Sequence, residues 1–213
     1  MTPKQDQITA PIGTATAGSL EIAGGSSRVT LLAHAEVSEL YRARFEGVAP
    51  MVLAHDGRVT IEYPRLAPSE WLRPTRRAAE IMLNPSLPWT LVVSGGVSEL
   101  RADLRRLALR SFEVRGGARD AEILLPEAQG VVAVRVTSGA SNIALRRPAS
   151  SPVRAHIASG ASRLTFDEQR FGAVGGEMQL ASPDAEQAGD RYEIEIGGGA
   201  SGLVIARHEE GRP

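Results

Sequence analysis

Hydrophobic and polar residues alternate in short stretches on both sides of a corner of small residues, and this unit recurs along the chain. In the stretch 134–145, VRVTSGASNIAL, the alternation on each side of the corner predicts two short strands. Six copies have an apolar residue seven positions before another: Ile22 and Val29, Val93 and Leu100, Val114 and Ala121, Val136 and Ile143, Ile157 and Leu164, and Ile196 and Leu203. Imperfect copies pair Val52 with Val59 and Phe171 with Met178. The pattern predicts an all-β chain.

The spacing of the copies is compatible with two architectures. The apolar residue before the corner falls at 93, 114, 136 and 157, which gives intervals of 21, 22 and 21 residues before a jump of 39 to residue 196. In a β-solenoid each copy forms one rung, and residues about 21 apart pair in parallel. In an antiparallel hairpin meander or sandwich the corner is a tight turn, and Val136 faces Ile143. The spacing alone leaves both open.

The alternation also predicts which residues are buried. The expected core includes Val93, Leu100, Val114, Val134, Val136, Ile143, Leu145, Val153, Ile157, Leu164, Ile194, Ile196 and Leu203. In this register Arg135, Arg146 and Arg163 stay at the surface, because successive side chains of a strand point to opposite faces.

The corners share two residue types. Glycine occupies the fourth position of all six copies, at Gly25, Gly96, Gly117, Gly139, Gly160 and Gly199, and serine occupies the sixth position of five. Glycine is expected there because the backbone has a positive φ or lies close to another segment. The serine hydroxyls are expected to hydrogen-bond backbone groups at the turns.

Composition divides the chain into five segments. They are a flexible lead at 1–17, irregular β-repeats at 18–63, a Pro- and Arg-rich insertion at 64–88, a regular β-repeat domain at 89–206, and a tail at 207–213. Within the insertion a short helix is predicted over 75–83, where Ala78, Ala79, Met82 and Leu83 share one helical face.

Charge and composition exclude several classes of function. The 213 residues carry a formal net charge of −1 and no cysteine, so neither a general attraction to nucleic acid nor a disulfide framework is expected. The sequence has no signal-peptide pattern and no apolar run long enough to span a bilayer. These features predict a cytoplasmic protein without direct membrane insertion, which reaches the envelope, if at all, through a partner.

Reactive residues are present but do not form a recognisable catalytic pattern. The stretch 197–202, GGGASG, matches G-x-G-x-x-G, but the strand pattern continues after it and leaves no room for a βαβ unit. The four histidines, His34, His55, His156 and His208, are scattered and lack metal-ligand spacing. We therefore predict a protein that is not an enzyme and has no cofactor or metal. The alternative is a hydrolase with its site under the 64–88 insertion.

One group of basic residues is a weak candidate for a binding surface. It comprises Arg101, Arg105, Arg106, Arg110, Arg115 and Arg119. On one face of a repeat stack these side chains would attract an anionic polymer or an acidic partner. A solvated outer face is the simpler interpretation, and the stacking aromatics of single-strand nucleic-acid binders are missing there.

The small-residue corners resemble those of a known family. The segments VVSGGVSEL (92–100), VTSGASNIAL (136–145) and IASGASRLTF (157–166) are similar to the bacterial toast-rack and putative-adhesin domains of unknown function, which include the C-terminal domain of LiaF-like cell-wall-stress regulators. The resemblance covers 89–205 and, more loosely, 18–63. It implies a solenoid-like fold and a non-catalytic interaction or assembly module linked to the envelope or to stress. The chain lacks the membrane helices of those regulators.

The ends of a repeat stack expose unpaired backbone groups, which recruit other chains unless they are covered. The irregular segment 34–50 and the insertion are expected to cover the N-terminal end. The last copy, 192–205, is followed by a short tail only, so we predict a homodimer that forms through this C-terminal rung.

Overall fold

A computed structural model describes residues 7–64 and 77–208, and these residues form nineteen strands and no helix. The part of the chain that is described therefore contains no helix long and apolar enough to cross a membrane. The strands lie in two mixed sheets, one of ten strands and one of nine. The predicted all-β repeat fold is confirmed.

Sheet A contains ten strands. In spatial order they are β1 (Ile8–Ala10), β4 (Tyr41–Gly47), β7 (Arg77–Leu83), β3 (Ser26–Ala33), β9 (Val97–Asp103), β11 (Ala118–Leu124), β13 (Ala140–Arg147), β19 (Ala200–Arg207), β15 (Ala161–Phe166) and β16 (Gln169–Val174). Sheet B contains nine. In the same direction they are β5 (Met51–His55), β6 (Arg58–Glu62), β2 (Gly18–Ala23), β8 (Pro88–Ser94), β10 (Ala108–Arg115), β12 (Val131–Val136), β18 (Arg191–Ile196), β14 (Val153–Ile157) and β17 (Met178–Ala181).

Each repeat forms one rung of a solenoid. The chain runs along a strand of sheet B, turns through the small-residue corner and returns along a strand of sheet A. Val136 pairs in parallel with Val114 on one side and with Ile196 on the other. The solenoid is therefore confirmed, and the alternative in which Val136 faces Ile143 across a hairpin is wrong.

The core lies between the two sheets and follows the predicted register. All thirteen predicted core residues are buried, while Arg135 and Arg163 are exposed and Arg146 is half-buried. Removing these apolar side chains from water is the main source of stability in such a stack. The period-two pattern was sufficient to assign the inward face.

The rungs do not stack in the order of the sequence. After β15 the chain reverses at Asp167 and Glu168, so that the pair β16/β17 runs antiparallel to its neighbours and closes the C-terminal end. The pair β18/β19 then inserts between β12/β13 and β14/β15. The last copy is hydrogen-bonded on both sides, so the prediction that 192–205 is a terminal rung is wrong, and a dimer through an open edge of this rung loses its basis.

The N-terminal end closes in a related way, with the later pair directly behind the cap. The antiparallel pair β4/β5 caps the stack, and β6/β7 inserts between this cap and β2/β3. The expectation that 34–50 contributes to this end is confirmed, since it contains β4. The imperfect copy at 52–59 is a hairpin within sheet B, because β5 and β6 are antiparallel neighbours, whereas the copy at 171–178 does form a rung.

The helix predicted over 75–83 is wrong for the residues that are described. Residues 77–83 form strand β7, in which Arg77, Ala79, Ile81 and Leu83 point inward. The run has few polar residues, so helical and period-two patterns both fit it, and pairing with β3 and β4 decides the outcome. Residues 75 and 76 lie outside the described part.

Candidate functional site

The six corners stack into a continuous row along one side of the molecule. In five of the six corners the residue after the fourth-position glycine donates its N–H to the glycine carbonyl of the neighbouring rung. The bonds are Ser26 to Gly96 (3.2 Å), Val97 to Gly117 (3.1 Å), Ala118 to Gly139 (3.3 Å), Ala140 to Gly199 (3.0 Å) and Ala200 to Gly160 (3.1 Å). This ladder holds neighbouring corners in register and brings their backbones close together.

The fourth-position glycines are not all required for the predicted reason. Gly25, Gly96 and Gly160 have positive φ, but Gly117 and Gly139 do not, and a Cβ at Gly139 would lie 3.7 Å from the nearest atom. The tighter contacts belong to the position before, where a Cβ on Gly95 would lie 2.8 Å from the Gly25 nitrogen. In several rungs, therefore, the residue that has to be glycine lies at the third position of the copy and not at the fourth, as the alignment of copies had suggested.

A second left-handed position appears in the C-terminal half of the row. The residues at position seven, Asp120, Asn142, Arg163 and Gly202, all have positive φ. The Asn142 side-chain amide donates to Asp120 Oδ1 at 3.0 Å, and Arg163 donates to the Ser201 hydroxyl at 3.1 Å. A side chain at Gly202 would meet Asn142 Oδ1 at 2.8 Å, so glycine leaves room for the polar row.

The surface of the corner row is a shallow groove of about 710 Å³. Glycine and serine line most of it, and Arg77 and Arg119 contribute guanidinium groups. At position six, the Ser162 hydroxyl donates to the Ser201 hydroxyl of the neighbouring rung at 3.2 Å. These two hydroxyls therefore do not bond to backbone groups as predicted, and the backbone groups of the corners bond to one another in the glycine ladder.

The six candidate arginines are not gathered on one face. Arg101 and Arg119 project from sheet A, Arg110 and Arg115 belong to sheet B, and residues 105 and 106 lie in the opposite corner. Three of the six have a carboxylate close by, at Asp103, Glu113 and Glu122. Of the six, Arg119 alone lines the corner groove. The arrangement does not create a single basic surface.

The histidines lie apart from one another and have separate partners. His55 lies 2.9 Å from the Asp56 carboxylate and His156 lies 2.9 Å from Glu177, both at exposed sites. His34 accepts from the Glu36 amide, and His208 lies near the Leu125 carbonyl. Within 7–64 and 77–208, no group of three or more potential metal ligands is found.

The C-terminal end is tied down by a buried ion pair. The Arg147 side chain is 1% exposed and that of Asp167 is 8% exposed, and Arg147 Nη2 contacts both carboxylate oxygens at 2.7 and 3.0 Å. Arg147 Nη1 also donates to the Ser151 carbonyl at 3.0 Å. Burial lowers the pKa of Arg147, an effect that Asp167 opposes. The pair reaches across β19 and fixes the hairpin turn of the cap.

The N-terminal end buries an arginine in a different environment. Arg77 is 6% exposed and donates to the carbonyls of Gly24 (3.0 Å) and Pro64 (2.6 Å). Its guanidinium lies over the ring of Tyr63, 5.6 Å from the centroid. Burial raises the pKa of Tyr63 to about 12, although Arg77 acts in the opposite direction. Here a cation is held by carbonyl dipoles and an aromatic ring.

Strand β5 is an open edge of sheet B at this end. It pairs with β6 on one side only, and in the described structure no strand pairs with its other side. Met51 is 55% exposed and Leu53 is 58% exposed on the outer face, while Val52 packs against the core. The strand carries no lysine, arginine or carboxylate. Sequence reasoning missed this edge because it read 52–59 as a corner.

Comparison with known proteins identifies the family. Residues 5–146 match the model of the N-terminal domain of toast_rack, DUF2154. No curated protein matches the sequence significantly. The crystal structure of a putative cell adhesion protein from Clostridium sporogenes is 17% identical, with a TM-score of 0.66 over 96% of this chain and 99% of the other, and it shows the same fold. A putative adhesin from Bacteroides fragilis is 12% identical over 97% and 99% of the two chains, and its TM-score of 0.33 is too low to bear on the fold. Since the family model spans most of the sequence, the chain belongs to the toast-rack N-terminal domain family.

Proposed function

We propose that the protein is a non-catalytic interaction module that binds another protein chain through the N-terminal end of its stack. The observation that carries the proposal is the edge of β5, which is open among the described residues and exposes Met51 and Leu53 on a strand without lysine, arginine or carboxylate side chains. Unpaired edges recruit strands from other chains, and the added main-chain hydrogen bonds supply the affinity.

The positions of the residues that recur in every repeat support a structural role for the repeat. The repeated apolar positions fill the core, and the repeated glycines form the ladder of corners. The hydrogen bonds of His34, His156 and His208 join them to a backbone amide, a carboxylate and a carbonyl, whereas a hydrolase triad needs a serine bonded to the histidine. The alternative places a hydrolase site under the 64–88 insertion, of which residues 65–76 lie outside the described part.

The resemblance to regulators of cell-wall stress supports a second part of the proposal, namely that the module acts in the envelope or its stress response. A β-edge suits an interaction module, because it recognises extended backbone and tolerates different side chains. The identity of the proteins captured together with the module tests this part separately from the binding surface.

The test is a pull-down with the intact protein as bait, followed by identification of the retained proteins. Three baits are compared: wild type, Leu53→Lys at the open edge, and Gln179→Lys on β17, the edge of the same sheet at the other end. A lysine on an edge strand opposes pairing. We expect wild type and Gln179→Lys to retain a protein that Leu53→Lys loses by at least about tenfold. Equal retention by all three baits would contradict the proposed surface.

A further inference from the structure

We infer that the occupant of the β5 edge is a second copy of this chain, with the two β5 strands paired antiparallel about a two-fold axis at Leu53. The inference rests on the proposed function and names its partner. In this register Leu53 lies opposite Leu53 of the second copy, Val52 opposite Ala54, and Met51 opposite His55. The same strand then serves both sides of the interface, as a two-fold dimer requires.

The row of residues that faces the core continues across the proposed interface. Val52 is paired with the buried Ile61, and Ala54 is paired with the buried Val59. With Val52 opposite Ala54 of the second copy, the order across the joint is Ile61, Val52, Ala54 and Val59. All four are apolar and β-branched or small, so each copy covers the half-buried end of the other's core.

The outer face has matching charges. Met51 is paired with Glu62, and His55 is paired with Arg58, within one copy. Antiparallel pairing therefore places Glu62 and Met51 of one copy in a row with His55 and Arg58 of the second. Each end of the joint has an acidic residue from one copy and basic residues from the other, while the exposed Leu53 pair occupies the centre.

The short strand β1 is compatible with this arrangement. It covers the outer edge of β4 beside Tyr41, Arg42 and Ala43 and leaves the half from Arg44 to Gly47 without a described neighbour. A two-fold axis at Leu53 places β1 of the second copy beside that open half. The two β1 strands then lie in one layer between the two β4 strands. The two copies are therefore farther apart at sheet A than at sheet B by one strand spacing, about 5 Å, and the stacks tilt relative to each other.

The other three edges are less suited to pairing with themselves. Strand β1 has three residues, and β17 has four. Strand β16 contains Arg170, which would oppose a like charge nearby in an antiparallel pair, and Gly172, which weakens a strand. The open edge of β5 is thus the one that combines five residues, exposed apolar side chains and the absence of lysine, arginine and carboxylate side chains.

Sedimentation equilibrium of the full chain tests the inference. We expect wild type and Gln179→Lys to form a dimer with the same dissociation constant, and Leu53→Lys to raise that constant by at least about tenfold. Because Leu53 is exposed, its substitution should leave the far-UV circular dichroism unchanged, and the melting temperature unchanged at protein concentrations below the wild-type dissociation constant, which separates loss of pairing from loss of folding. A Leu53→Lys dimer as tight as wild type overturns the inference.

A single cysteine tests the register directly, because the chain contains none. Residues opposite each other in an antiparallel pair have Cα atoms about 4.5 to 5.5 Å apart, which a disulfide spans. Under mild oxidation Leu53→Cys should form a disulfide-linked dimer at least about tenfold faster than Gln179→Cys, because the proposed pairing brings the two copies of residue 53 together and leaves the two copies of residue 179 far apart. Equal rates for the two variants contradict the two-fold pairing at Leu53.

The outcomes for the two proposals are distinguishable. A wild-type chain that stays monomeric, yet loses a captured protein on Leu53→Lys substitution, overturns the homodimer and leaves the proposed function standing. A monomer whose captured proteins are unaffected by the substitution overturns both.

Discussion

At the C-terminal end of the stack, a buried arginine and aspartate tie the cap to the middle of the molecule, whereas at the N-terminal end a buried arginine is held by carbonyls and a ring. At both ends an antiparallel strand pair caps the stack and a later pair inserts inside it, directly behind the cap at the N-terminal end and behind β14/β15 at the C-terminal end. The chemistry differs, because Arg147 bonds Asp167 while Arg77 bonds Gly24 and Pro64. Among the residues that the structure describes, the N-terminal end also leaves an apolar strand edge open.

This difference shows how one fold can be closed at one end and available at the other. Charged and short edge strands discourage pairing with other chains. At the C-terminal end β16 carries Arg170, and His156 Nε2 lies 2.9 Å from Glu177 Oε1. At the N-terminal end β5 has only His55, beside Asp56 at the turn, and residues 51–54 carry no ionisable side chain. The predictions that follow change one end at a time.

The largest effect is expected from Asp167→Asn at the C-terminal end. Asparagine tolerates the positive φ of this turn position, so the substitution removes the charge and retains the geometry. An uncompensated guanidinium remains buried, and the free energy of unfolding should fall by about 3–5 kcal/mol.

The matched change at the other end, Arg77→Met, removes donors from two carbonyls and should cost about 1–3 kcal/mol. Urea denaturation measures both, and equal losses would show that the ends do not differ as described.

The next effect concerns the corners. Gly95 has a φ of 91°, and a Cβ there would lie 2.8 Å from the Gly25 nitrogen, so Gly95→Ala should cost at least about 2 kcal/mol of unfolding free energy. Gly139 has neither constraint, and Gly139→Ala should change stability by less than about 1 kcal/mol. Denaturation of the two variants side by side decides this. A larger loss at Gly139 would mean that the fourth position is the constrained one.

The two buried tyrosines form a smaller contrast between the ends. The Tyr192 hydroxyl donates to the Pro126 carbonyl at 2.7 Å, while the Tyr63 hydroxyl has no hydrogen-bond partner among the described residues. Tyr192→Phe should therefore cost about 1 kcal/mol, and Tyr63→Phe should be neutral or stabilising. Thermal denaturation at neutral pH distinguishes them, and a greater loss for Tyr63→Phe would contradict the assignment.

The same residues predict the alkaline limb of stability. Burial raises the pKa of Tyr63 to about 12 and that of Tyr192 further, so the folded state favours the neutral phenols. This contribution is complete below the unfolded pKa of about 10 and is lost as the pH rises toward the folded value. Wild type should lose stability between about pH 10 and 12, and Tyr63→Phe should show a shallower decline. An identical slope in the variant would indicate that Tyr63 does not titrate in this way.

The smallest effect belongs to position seven. Arg163 has a φ of 53°, which costs an ordinary residue about 1 kcal/mol and costs glycine little. Arg163→Ala and Arg163→Gly both lose the bond to Ser201, so their difference isolates the backbone term. We expect the glycine variant to be more stable than the alanine variant by about 1 kcal/mol in chemical denaturation. The opposite order would show that this position is not left-handed in solution.

The repeat in the sequence was sufficient to predict the fold class and the inward face of the strands. Alternation around Val136 and Ile157 reports burial directly, because a one-residue slip would bury Arg135. The order of the rungs was not predictable from spacing, because a rung with the repeat pattern can pair with either side of an existing rung. The position of β18/β19 depends on the chain reversal at Asp167, which the spacing does not show. The open edge of β5 was missed for a different reason. Val52 and Val59 keep the repeat spacing, but the turn at Asp56 and Gly57 forms a hairpin within one sheet and not a corner between the two sheets.

The central claim is that a later rung inserts inside the antiparallel cap at each end, and that at the C-terminal end β18/β19 lies between β12/β13 and β14/β15. Because the chain has no cysteine, two double-cysteine variants test it directly. Arg135 lies beside Glu195, and Glu195 lies beside His156, so residues 135 and 156 are two strands, about 10 Å, apart. Under oxidation the account predicts a disulfide in Arg135→Cys/Glu195→Cys and none in Arg135→Cys/His156→Cys. A disulfide between 135 and 156 would show that the rungs follow the order of the sequence and would contradict the account.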